Sequence, residues 1–135
     1  MTATTSLDAG PAVRAPFSGP NKVGLVLAGL LGLLDVASLL NPTPPGEVGP
    51  PLGILVLDTV LGVVTVVAVV LAWRSRSRGL VRLAAGARIL SLLSALPAFF
   101  AGVPAPLLIL VAGFTVISVA TVVLMLLPSA RRTEV

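Results

Sequence analysis

Four long apolar stretches dominate the chain and leave room for little but one architecture. They cover residues 23–40, 52–73, 80–101 and 105–127, between 18 and 23 residues each. A helix rises 1.5 Å per residue, so about 20 residues cross the ~30 Å core of a bilayer. Hydrophobic residues make up 56% of the chain and charged residues only 10%. A soluble domain carries about 45–50% and about 25%, so this chain has too few polar side chains to shield itself from water. The β-branched run 63–70 leans toward strand by propensity. In lipid, however, an isolated apolar run satisfies its own backbone only as a helix. The sequence predicts an all-α fold, a four-helix transmembrane bundle.

The segments between the spans carry their own punctuation. Residues 1–22 are polar and rich in Pro, Gly and Thr, with no apolar period, and read as a disordered tail. Residues 41–51 hold too many prolines to be helical, since proline lacks the amide donor. Pro50 and Pro51 stand where a first helical turn tolerates them. Residues 74–79 form a short basic turn and 102–106 a tight neutral one. Pro128 closes the fourth span and leaves a C-terminal tail, 128–135.

Basic residues set the expected orientation. Arg14 and Lys22 precede the first span, Arg74, Arg76, Arg78 and Arg82 lie around the 74–79 turn, and Arg131 and Arg132 end the chain. The connections 41–51 and 102–106 have none. Lys and Arg collect in cytoplasmic loops, so both termini are expected to be cytoplasmic, in the cell's inner membrane. The same placement accounts for the formal charge of +4 without nucleic acid as a partner. A cleaved signal sequence fits poorly. The first apolar run carries Asp35 and is followed by prolines rather than a small-residue cleavage site.

The inventory excludes much chemistry. With no Cys and no His, the sequence offers no disulfide, structural zinc, thiol redox pair or Ser–His nucleophile. No cofactor and no metal are expected, and an enzymatic role is disfavoured. The one unusual resource is three ionisable residues well inside the spans, Asp35, Asp58 and Arg88, with Arg82 only just inside the third. Such residues are costly in lipid and usually face the bundle interior with a partner. Asp35 lies roughly 8 Å, and Asp58 roughly 9 Å, from the outer ends of their spans, at 1.5 Å per residue. Two carboxylates at one depth could share a proton or a cation. Arg88 lies nearer the midplane and its side chain leans toward the opposite face, so pairing with Asp35 is open. Ser38, Thr59, Ser91 and Ser94 are close enough in sequence to support such a cluster. Structural glue is the leading reading of these residues. A proton or cation relay, or recognition of a lipid head group or anionic solute near Arg88, are the alternatives.

Other patterns read as packing. Gly24, Ala28 and Gly32 recur on one face of the first span, and Ala84, Ala87, Ser91, Ser94 and Ala98 on the third. Small residues let membrane helices approach closely, within the bundle or in a homodimer. Pro97 should kink or end the third span. Trp73 suits an interfacial anchor, with Phe99 and Phe100 as its counterpart at the other face. A shift of 53 sets Asp35 on Arg88 and Pro44 on Pro97, but the matches between are generic apolar residues.

The runs Gly32-Leu-Leu-Asp-Val-Ala-Ser-Leu-Leu40 and Arg88-Ile-Leu-Ser-Leu-Leu-Ser-Ala-Leu-Pro-Ala-Phe-Phe-Ala-Gly-Val-Pro104, with the Ala-Trp-Arg turn at residues 72–74, resemble small uncharacterised four-span membrane proteins of actinobacteria. That resemblance implies the fold and no activity. Small multidrug-resistance transporters also carry an acid in their first span, but it is a glutamate and their cavity is rich in aromatics. DoxX-like proteins share the four-span size and no motif. The expected function is that of a non-enzymatic integral membrane protein acting by interaction with membrane lipid, with a second copy or with another membrane protein. The alternative is a small proton- or cation-coupled carrier using the intramembrane carboxylates.

Overall fold

A computed structural model describes residues 16–41 and 43–128. Its elements are α1 (Gly19–Leu40), α2 (Leu52–Ser75), α3 (Arg78–Ala95), a 3-10 turn (Leu96–Phe99) and α4 (Ala105–Leu126). Each helix, the third together with its 3-10 turn, is long and apolar enough to cross a membrane. Among the described residues there is no strand. The all-α, four-helix architecture is therefore as the sequence predicts. Of the two tails, residues 1–15 and 129–135, with Arg14, Arg131 and Arg132, lie outside the described residues.

The helix ends depart from the apolar boundaries, each for a local reason. α1 begins at Gly19 rather than residue 23, so the N-terminal tail stops short of residue 22. Ser18 and Asn21 build a reciprocal cap there. The Asn21 amide donates to Ser18 Oγ at 3.4 Å, and the Ser18 amide and hydroxyl donate to Asn21 Oδ1 at 3.3 and 2.8 Å. Capping and Pro20 in the first turn start a helix before hydrophobicity does. α2 runs two residues past Trp73, to Ser75, and turns at Arg76 in the left-handed conformation, with φ 51°. α3 starts at Arg78 and ends at Ala95, not at residue 101. Pro97 cannot donate to a continuing helix, so the chain tightens into the 3-10 turn and then reverses at Gly102, where φ is 67°.

The helices form a ring in which α1 packs on α2 and α4, and α3 packs on the same two. α1 and α3 touch across the diagonal, whereas α2 and α4 do not meet. The small residues of α1 make its two tight crossings, inside the bundle. A Cβ at Gly24 would stand 2.7 Å from the Met125 amide nitrogen of α4. Gly32 and Gly62 face each other reciprocally. A Cβ on Gly32 would lie 2.9 Å from the Gly62 carbonyl oxygen, and one on Gly62 would lie 2.7 Å from that of Gly32. Side-chain packing between backbones this close is the membrane substitute for a hydrophobic driving force.

Asn21 adds a polar tie. Its side-chain amide, fully buried, donates to the carbonyls of Leu124, Met125 and Leu127 at 3.0, 3.1 and 2.9 Å. These are among the last carbonyls of α4, which have no partner within their own helix. One residue thus caps the start of α1 and the end of α4, and holds the two helix ends together.

Burial is uneven along the bundle. The apolar core joins Phe17, Leu25, Ala28, Ala68, Ala72, Ala84 and Met125, all toward the end that carries Lys22 and the 76–77 turn. Buried residues reach only to Asp35 in α1, back only to Leu61 in α2, to Ser91 in α3 and back to Ser118 in α4. Past those residues the far part of each helix has none among the described residues. There the helix ends leave Leu40, Leu52, Phe100 and Ile109 at least 72% exposed.

Candidate functional site

The polar residues of the spans gather where the tight half of the bundle gives way to the open half. α3 supplies the platform. Arg88, Ser91 and Ser94 recur every three residues and so share one face. Arg88 is completely buried. Its Nη1 donates to Asp35 Oδ2 of α1 in a salt bridge. Its Nη2 donates to Ser118 Oγ of α4 at 3.2 Å. The guanidinium also lies over the Phe114 ring, 5.5 Å from its centroid, where the ring face attracts a cation. Nε of Arg88 is buried with no hydrogen-bond partner among the described residues. One arginine therefore connects α1, α3 and α4.

Asp35 lies further along α1 than Arg88 does along α3. The two helices run parallel and their side chains lean the same way, so the lean leaves the offset unchanged, and the long arginine stem spans it to make the salt bridge. This resolves the pairing that depth alone leaves open.

Asp58 is served separately. Ser94 Oγ donates to Asp58 Oδ1 at 2.6 Å and Ser91 Oγ donates to the same oxygen at 3.3 Å. The two carboxylates thus go to successive turns of α3, Asp35 to Arg88 and Asp58 to the serines. Each has its own partner. Ser94 Oγ also stands 2.8 Å from the Ser91 carbonyl oxygen, so its single proton has two acceptors. Asp58 is half-buried, and this interior cluster holds two carboxylates, Asp35 and Asp58, against the one guanidinium of Arg88.

Two of the four supporting residues expected from sequence do not join this network. Ser38 Oγ donates to the Asp35 backbone carbonyl at 2.6 Å, and Thr59 Oγ1 to that of Leu55 at 2.7 Å. A hydroxyl in an apolar helix finds its own carbonyl three or four residues back more readily than a partner across the bundle. Ser118, Phe114 and Asn21 are the contributors that span-by-span reading misses. Thr115, Ser118 and Thr121 do recur at spacings of three on the otherwise apolar fourth span, a signal for one inward polar face. Thr115 and Thr121 donate to Val111 and Ile117 of their own helix at 2.8 and 2.7 Å, and only Ser118 accepts from Arg88.

Chemically, the arrangement neutralises one buried charge and solvates another. Among the described residues no three His, Cys, Asp or Glu side chains come together to hold a metal ion. No protein-family model matches the chain, and no curated protein or solved structure matches it either.

Proposed function

We propose that this chain is a multi-pass protein of the cytoplasmic membrane, with both termini inside, that acts by contact with lipid, with a second copy or with another membrane protein. The observation that carries this reading is that the intramembrane charged groups are engaged with side chains of neighbouring helices. Arg88 is spent on Asp35 and Ser118, and Asp58 is held by Ser91 and Ser94. Groups so engaged join helices to one another, which is the role polar side chains commonly take between membrane helices. The same reading places the protein beside the small four-span actinobacterial proteins that residues 32–40 and 88–104 resemble.

A second reading has one observation in its favour. Asp58 is half-buried in the loosely packed end of the bundle and forms no ion pair among the described residues. A carboxylate placed so could carry a proton across part of the bilayer. Proton flux into liposomes holding the purified protein separates the two. The interaction reading expects flux no greater than in empty liposomes. Flux that Asp58→Asn abolishes would overturn it in favour of the carrier.

Orientation rests on the basic residues and is tested apart from function. Single cysteines replace Ser77 and Glu47, in a chain with no native Cys. In intact cells an impermeant maleimide is expected to label position 47 and spare position 77. Labelling at 77 with protection at 47 would reverse the assignment.

A further inference from the structure

Lys22 is the only lysine in the sequence, and it stands exposed in the first turn of α1. It lines a shallow groove of about 260 Å³ with Val23, Val26 and Leu27. The groove is otherwise apolar, and Val23 and Val26 are about half exposed along it. The same face of α1 continues through Leu30, Leu33 and Leu34, each more than half exposed. From Lys22 to Leu34 is roughly 18 Å along the helix at 1.5 Å per residue. A cation at the interface thus heads an apolar track that runs toward the middle of the membrane.

Further basic residues lie at the same end. Arg74 and Arg76, at the end of α2 beside α1, are exposed; Arg82, also exposed, is at the same end on α3, across the diagonal from α1. Adjacent helix axes are about 8–10 Å apart, so one anionic headgroup at Lys22 is within the span of the long Arg74 and Arg76 side chains on α2. Arg78 lies over Phe17, 5.7 Å from its ring centroid. At the opposite end the one charged residue among the described loop positions is acidic, Glu47. Charge and shape therefore agree on one end and one kind of occupant.

We propose that the groove below Lys22 binds an anionic phospholipid, its phosphate on Lys22 with the neighbouring arginines and one acyl chain along Val23, Val26 and Leu30. This rests on the reading of the protein as an interaction module and names its partner. Charge complementarity favours an acidic lipid over a zwitterionic one, and the apolar track favours a lipid over a free phosphate.

The test is native mass spectrometry of the full chain, released from micelles containing equal phosphatidylglycerol and phosphatidylcholine. Wild type is expected to retain one phosphatidylglycerol in preference to phosphatidylcholine. Lys22→Gln is expected to lower that retention roughly fivefold, the weight of one basic residue at an anionic surface. Val26→Phe, which fills the groove and keeps the charge, should also lower it. Both positions face outward, and an unchanged melting temperature confirms that each variant is folded. Equal retention in Lys22→Gln and wild type would overturn the site. Displacement of the lipid by glycerol phosphate would overturn the role of the acyl track. A dimer that carries no lipid would assign the groove to a second copy instead. Flux dependent on Asp58 would sink the interaction reading while leaving lipid retention untouched, so the two failures are distinct.

Discussion

Asp35→Asn is expected to be among the most damaging single changes in the bundle, lowering stability by about 3–5 kcal/mol, the cost of breaking a buried ion pair in soluble proteins. The substitution leaves the Arg88 guanidinium completely buried without a countercharge, held only by neutral acceptors, the asparagine side-chain oxygen and Ser118. Arginine cannot shed its charge, so nothing relieves the cost. Arg88→Gln should be milder, because a lone carboxylate can take up a proton. Asp35→Asn with Arg88→Gln should recover much of the loss, because no unpaired charge is then left. Ser94→Ala is the neutral control. It removes one hydroxyl from Asp58, and hydrogen bonds between membrane helices average only about 0.6 kcal/mol. Thermal unfolding in detergent measures all four. If Asp35→Asn melts with the wild type, the charge is being kept for something other than folding, and the interpretation of this network as glue fails.

How far the sequence leads depends on which physical term controls each feature. Span number and helix type follow from length and hydrophobicity, because lipid allows almost no other backbone. Helix ends follow local hydrogen bonding instead. Ser18 and Asn21 start α1 four residues before its apolar run, and a capping pair ending in Asn is a weaker signal than one ending in Glu or Gln. That Asp35, Asp58 and Arg88 need partners is legible from their cost in lipid. Which partners they take is not, because the choice depends on helix order around the ring and on the offset between parallel α1 and α3. Ser91 and Ser94 share a face with Arg88 and can be anticipated. Ser118 requires knowing that α4 closes the ring against α3.

The close approach of α1 to α2 makes the second large prediction. A methyl group on Gly62 would stand 2.7 Å from the Gly32 carbonyl oxygen and 2.8 Å from Asp35 Cβ. Neither is the free end of a flexible chain, so the helices must separate. Overpacking of this kind costs about 1–3 kcal/mol by itself. Here the displaced residue is also the partner of Arg88, so part of the ion-pair energy should be lost with it. Gly62→Ala is therefore expected to cost at least about 3 kcal/mol, near the top of what overpacking alone explains. Gly86→Ala is the matched control, since nothing lies within 4 Å of its added methyl. An interior helical Gly→Ala there should gain about 0.5–1 kcal/mol from propensity. The coupling is the sharper readout. In an Asp35→Asn, Arg88→Gln background the pair is already gone, so Gly62→Ala should cost only its overpacking. Equal costs in both backgrounds would mean that the glycine crossing and the ion pair are independent, and that Gly62 does not set the position of Asp35.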